Sequence, residues 1–212
     1  MNTPQQEYSI LHDSFGRSLP YLIKYAKQPT ANTRTLFIFH GRDIASYSKF
    51  YDENWNIVCP LDHYGLDKKG SWFLGEHGDF FIKDLVIELI ELVKSKTGSN
   101  RLYFWGSSMG GYAAILYGIL FSAEAVYANV PFIKLTDCQI DLSEFRKPLD
   151  FVFGNNPLPE HRYLLDLTQQ GRVGNLLPTL FYAILILGIL KTISIKQLNK
   201  FYKIESVIDY EI

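Results

Sequence analysis

Gly106-Ser107-Ser108-Met109-Gly110-Gly111 follows a short apolar run, Leu102-Tyr103-Phe104-Trp105, and leads into Tyr112-Ala113-Ala114-Ile115-Leu116-Tyr117. The order reads as strand, sharp turn and helix, with Ser108 at the centre of G-x-S-x-G. A residue at the apex of such a turn sits in a strained backbone conformation, and side chains on its flanks would clash with the strand and helix beside it. Glycine at both flanks relieves that crowding. The serine Oγ then projects above the sheet, and the N–H of Met109 faces the same space from the helix N-terminus.

Outward from this turn, the segments alternate as a mostly parallel sheet requires. Glu7 to His12 and Leu19 to Ala26 are strand-like, and Asp13 to Arg17 between them reads as a hairpin turn. Thr35-Leu36-Phe37-Ile38-Phe39 is a continuous apolar run, expected of a central strand covered on both faces, and it ends in His40-Gly41-Arg42-Asp43. A short helix is predicted over Ser46 to Tyr51, then a strand from Asn56 to Pro60. Residues 62 to 78 form a long loop in which four glycines punctuate His63, Trp72, Phe73 and His77. Loops of that length in compact domains are more often functional than filler. Asp79 to Lys96 predicts an amphipathic helix capped by Asp79, with Phe80, Leu85, Leu89, Leu92 and Val93 as its buried stripe and Thr97-Gly98 as its stop. Ala123 to Val130 is a further strand, ended by Pro131.

Residues 131 to 172 read as a polar, partly helical insertion over the sheet edge. Val173 to Leu190 then carries no charged side chain. A membrane span needs about 20 apolar residues, and Pro178 and the short length argue against one here. A buried strand from Thr179 to Leu185 is the expectation.

The chain has 212 residues, 47% hydrophobic and 15% aromatic, which suffices for one substantial core and a single domain over 1–212. A net charge of -1 gives no reason to expect nucleic acid or an anionic membrane as partner. Cys59 and Cys138 show no metal spacing, so a reduced, cytoplasmic protein is the simpler reading. The first residues lack the basic cluster and apolar core of a secretory signal.

A serine hydroxyl becomes a nucleophile only when a base takes its proton, and the oxyanion that follows needs two donors. The Met109 N–H is one. The loop after the third strand, Gly41-Arg42, is the expected source of the second. His40 reads as a residue that props this loop by a hydrogen bond, in preference to a catalytic base, and as a candidate for substrate contact. His63, after a strand end, is a candidate for substrate contact, and Trp72 for stacking on a sugar face, although a lid over the core explains it equally well. Asp62, His63, His77 and Asp79 match no metal-ligand frame, and no cofactor is expected.

FIFHG, CPLD and WGSSMGGYAAILYG together resemble the α/β-hydrolase superfamily over residues 7 to 130. That resemblance implies an α/β-hydrolase-like three-layer sandwich with a mostly parallel sheet. The GSWFLGEHGDF loop and the YANVPFIKL segment are similar to XcbB/CpsF-type proteins of bacterial capsular polysaccharide loci. This implies an esterase or carbohydrate O-acyltransferase acting on a small-molecule or carbohydrate substrate, with polysaccharide-assembly proteins as partners. Ser108 occupies the position of the superfamily nucleophile.

The second half departs from the superfamily order of Ser, then Asp or Glu, then His. The last histidine is His161, inside the insertion, and no histidine follows Glu205 or Asp209. Three readings account for this. The final strands are missing or altered, making 173–212 atypical; the protein keeps the turn only as architecture; or His161 serves as base with Asp150 or Asp166.

Overall fold

A computed structural model of the chain describes residues 5–135, 143–154, 158–167 and 181–184. Among the described residues seven strands form one sheet: β1 (Gln6–His12), β2 (Ser18–Lys24), β3 (Arg34–Phe39), β4 (Trp55–Pro60), β5 (Leu102–Ser107), β6 (Ala125–Asn129) and β7 (Phe181–Ile184). Their spatial order is β1-β2-β4-β3-β5-β6-β7. β2 runs antiparallel to β1 and β4, and the remaining neighbours pair in parallel. The fold is α/β with a mostly parallel sheet, as the alternation of segments predicts.

The β1–β2 turn is built by its first residue. The Asp13 carboxylate accepts from the backbone amides of Phe15 and Arg17, each at 2.9 Å, and Gly16 takes φ 79°. The central strands β3 and β4 are buried along almost their whole length, which is why they read as continuous apolar runs rather than alternating ones.

On one face of the sheet lie α1 (Phe81–Thr97) and α2 (Met109–Leu120). Leu85, Leu89 and Val93 of α1 and Ala113, Leu116 and Tyr117 of α2 pack with Phe37, Phe39 and Phe104 into one core. The Phe39 ring stacks on Tyr117 at 5.4 Å and meets Phe73 edge-on at 4.8 Å. On the opposite face, Leu36, Ile38, Ile57 and Cys59 are covered by Tyr47 and Phe50 from the β3–β4 connection. The Cys59 thiol is free, and burial pushes its pKa up; Cys138 lies outside the described residues.

Two local expectations are corrected. Residues 46–51 are not helical. The buried Lys24 ammonium donates to the carbonyls of Ser48 and Phe50, and those acceptors are thereby turned away from the i+4 amides a helix requires. Asp79 does not cap α1, whose N-cap is Phe80 without a side-chain bond. Its carboxylate is taken instead by Arg17 from the β1–β2 turn, whose guanidinium also lies 3.9 Å above the Phe81 ring. Gly98 ends α1 in the left-handed conformation, as read.

The insertion contributes α3 (Ser143–Phe153) and a 3-10 turn, Pro159–Leu164. It is polar in composition, yet Leu149, Val152, Phe153, Leu164 and Leu167 join the main core. Backbone bonds from His77 to Phe151 (2.7 Å) and from Gly78 to Val152 (2.8 Å) join it to the long 62–78 loop. Both segments leave the sheet at the carboxyl ends of parallel strands, so together they roof that edge. Among the described residues no helix is long and apolar enough to cross a membrane. Of the apolar 173–190 stretch, the described part is β7, which pairs in parallel with β6.

Candidate active site

β5 enters α2 through a single residue, Ser108, at φ 54° and ψ -120°. That is a conformation L residues rarely adopt, and holding it costs about 1–3 kcal/mol. Its neighbours explain how it is held. The Ser108 N–H donates to the Asn129 carbonyl at 2.9 Å, and the Ser108 carbonyl accepts from Tyr112 at 3.1 Å. The Asn129 side-chain amide donates to Ser107 Oγ at 3.1 Å. A Cβ on Gly106 would sit 2.0 Å from the Gly110 carbonyl oxygen, and one on Gly110 would sit 2.3 Å from that of Phe39. Both glycines of G-x-S-x-G are therefore steric necessities. Ser108 itself is half-buried, with its side chain at the start of a helix whose first N–H groups, Met109's included, have no intrahelical acceptor.

The loop after β3 lies against this turn, since a Cβ on Gly41 would reach 3.5 Å from the Ser107 carbonyl oxygen. His40 fixes its shape. The imidazole Nδ1–H donates to the Gly41 carbonyl at 2.8 Å, and Nε2 accepts from the Asp62 amide at 2.9 Å. These two bonds select the Nδ1–H tautomer of a neutral ring, and burial pushes the His40 pKa down, reinforcing neutrality. Because the Gly41 carbonyl and the Arg42 N–H belong to one trans peptide, anchoring the first aims the second in the opposite direction. With both ring nitrogens engaged, His40 has none left for a substrate or for Ser108.

Asp62 is the residue that sequence reasoning missed. It is fully buried. Its carboxylate accepts from the backbone amides of Ser71 (2.6 Å), Phe73 (2.7 Å) and Tyr64 (3.2 Å), and from the Ser71 hydroxyl. One side chain thus closes the 62–73 loop on itself while its own amide holds His40. A lone aspartate at a strand end gives no hint of this. The nearest signal was the glycine-punctuated stretch that follows it.

The remaining candidates are dispersed. Trp72 is 1% exposed, so it is core and presents no face for a sugar; its place inside follows from the closed 62–73 loop. His63 is half-buried and packs on Tyr64 at 4.6 Å, while the exposed His77 packs on Phe151 at 4.3 Å. His161 meets the Phe80 ring edge-on at 4.6 Å, and Asp150 lies 3.7 Å from Arg146 one turn away on α3. Among the described residues no hydrogen bond or ion pair joins Ser108, His161 and Asp150. Nor do three or more His, Cys, Asp or Glu side chains converge there as a metal site.

No family model matches this chain, and no curated protein matches it by sequence. Solved structures match it by shape. An S-formylglutathione hydrolase from Agrobacterium tumefaciens aligns with TM-score 0.58 at 15% identity, over 80% of this chain and 72% of that one. A substrate-bound fluorophosphonate-binding serine hydrolase from Staphylococcus aureus, FphF, gives TM-score 0.56 at 15% identity over 81% and 76%. The capsule O-acetyltransferase of Neisseria meningitidis serogroup A, in complex with CoA, gives TM-score 0.53 at 20% identity over 79% and 69%. The chain has the α/β-hydrolase fold. Its neighbours in shape include serine hydrolases and an acyltransferase, and at these identities the likeness is one of fold.

Proposed function

We propose that this protein transfers acyl groups through a covalent serine intermediate, with Ser108 as nucleophile and the N–H groups of Met109 and Arg42 as oxyanion donors. The observation that carries this reading is the backbone of Ser108 itself. A half-buried serine at φ 54°, wedged between two obligatory glycines at the mouth of a helix, is strain retained at one reactive side chain. In the reaction, Ser108 Oγ bonds to the acyl carbon and its proton passes to the departing alcohol or thiol. The acyl-serine is then attacked by water, giving an esterase, or by a carbohydrate hydroxyl, giving an O-acyltransferase. The resemblance to XcbB/CpsF-type proteins, and a capsule O-acetyltransferase among the structural neighbours, support surface-polysaccharide acylation as the setting. A fluorophosphonate probe tests the chemistry: wild-type protein becomes labelled and Ser108→Ala does not.

A second reading is favoured by one observation: among the described residues no histidine is hydrogen-bonded to Ser108. In that reading the fold is a platform within a polysaccharide-assembly complex. Well-folded wild-type protein that resists the probe supports the platform.

A further inference from the structure

We infer that Val130 is the wall against which the acyl group on Ser108 rests, and that this group is an alkyl chain longer than acetyl. The identity of the ligand rests on the acyl-transfer reading. The apolar contact site at Val130 does not.

Val130 stands at φ 47° and is 59% exposed. Among the described residues it is the one β-branched side chain at positive φ. Branching at Cβ makes that region a genuine outlier, and the following Pro131 favours an extended predecessor. Both neighbours hold the strain in place. Asn129 is the last residue of β6, paired with Ser107 and donating from its side-chain amide to Ser107 Oγ. Pro131 lies against the first turn of α2, because a Cβ on Gly111 would stand 3.2 Å from Pro131 Cβ. The chain must therefore turn from strand end to helix flank at a single residue, a task glycine performs without the Cβ penalty. Valine there costs stability and gains little by burial, so its isopropyl group is accounted for by a ligand.

Its neighbour is Ser108. The Ser108 N–H donates to the Asn129 carbonyl at 2.9 Å, and in a trans peptide that oxygen lies on the same side as the next Cα. Val130 Cα is therefore within about 6 Å of the Ser108 nitrogen. One peptide group joins the two strained residues, and both stand just past the carboxyl ends of parallel strands, β5 and β6. An isopropyl group offers no hydrogen bond and is matched by alkyl carbon. An acetyl group ends one carbon beyond the carbonyl bonded to Oγ, whereas a pentanoyl chain has the reach to lie along Val130.

The test uses the full chain and two fluorophosphonate probes that differ only in the alkyl group on phosphorus, methyl or butyl. Ser108 Oγ displaces fluoride from phosphorus, so that alkyl group takes the place of the acyl chain. After correction for each probe's reaction with buffer, wild type is expected to react about fivefold faster with the butyl probe. In Val130→Gly that preference should fall below about twofold, while the midpoint of thermal unfolding rises by about 3 °C as the strain is released. Val130→Thr, which keeps the branch and exchanges a methyl for a hydroxyl, should fall between the two. Leu120→Ser alters another exposed apolar residue, about 17 Å away at the far end of α2, and should keep the wild-type preference. Equal butyl preference in wild type and Val130→Gly overturns this inference and leaves acyl transfer by Ser108 standing, as does a Val130→Gly protein less stable than wild type. If neither probe reacts, acyl transfer falls, and pentanamide, an unreactive carbonyl compound with the same butyl chain, decides the site. Shifts of the Val130 methyl resonances in Ser108→Ala, larger with pentanamide than with acetamide, uphold the apolar site; no shift overturns it.

Discussion

The Asp62 amide donates to His40 Nε2 at 2.9 Å, so a residue after β4 decides which nitrogen of a residue after β3 carries the proton. Through Nδ1 that choice reaches the Gly41–Arg42 peptide. Asp62→Ala removes the acceptor of the buried Ser71 and Phe73 amides, each orphaned donor costing about 1–3 kcal/mol. Urea unfolding should show a loss of at least about 3 kcal/mol, whereas Asp62→Asn, which retains one carbonyl acceptor, should lose less. Equal stability of wild type and Asp62→Ala would contradict the central place given to this carboxylate.

His40 makes stability depend on pH. Its pKa is lowered in the folded protein, chiefly by burial, while the unfolded chain titrates near the ordinary value of about 6.5. Below that value the unfolded state binds the proton that the folded state refuses, so the stabilisation present at neutral pH is lost as pH falls through the folded value. Denaturation series between pH 7.5 and 5 should show wild type losing stability more steeply than His40→Gln. Parallel slopes would remove His40 from the account.

The glycines around Ser108 separate by geometry. Alanine at Gly106 or Gly110 places a methyl within 2.3 Å of backbone oxygen, an overlap that exceeds the usual 1–3 kcal/mol of overpacking and should abolish soluble folded protein. Gly41→Ala meets its nearest atom at 3.5 Å. It should fold normally, within about 1 kcal/mol of wild type by thermal unfolding.

Strain at the serine predicts a trade of stability for function. Glycine occupies positive φ without the Cβ penalty, so Ser108→Gly should be more stable than wild type, by roughly 1 kcal/mol, while losing all reactivity at this position. A destabilised Ser108→Gly would mean that the backbone there is not strained.

The strand–turn–helix around Ser108 and the succession of strands along the chain were legible because local signals carried them; the order of the strands within the sheet was not. Apolar runs mark strands buried on both faces, and two glycines mark a turn that no other residue fits. The parts that were not legible depend on partners distant in sequence. Residues 46–51 look helical until Lys24 claims their carbonyls, and Asp79 looks like a cap until Arg17 pairs with it. Trp72 reads equally as lid or stacking platform until Asp62 closes the loop that buries it. Asp62 itself is one carboxylate whose partners lie up to 11 residues away. His161 was the last histidine of the chain, yet its neighbour in space is Phe80. Replacing it by alanine is accordingly expected to leave Ser108 labelling within twofold of wild type, as read by the rate of probe incorporation.

The central claim is that one hydroxyl is reactive because of the turn that holds it. Fluorophosphonate-treated protein, digested and fragmented in a mass spectrometer, measures this directly. The adduct is expected on Ser108, with adjacent Ser107 unmodified and no adduct in Ser108→Ala. An adduct on Ser107, or equal modification of wild type and Ser108→Ala, would contradict it.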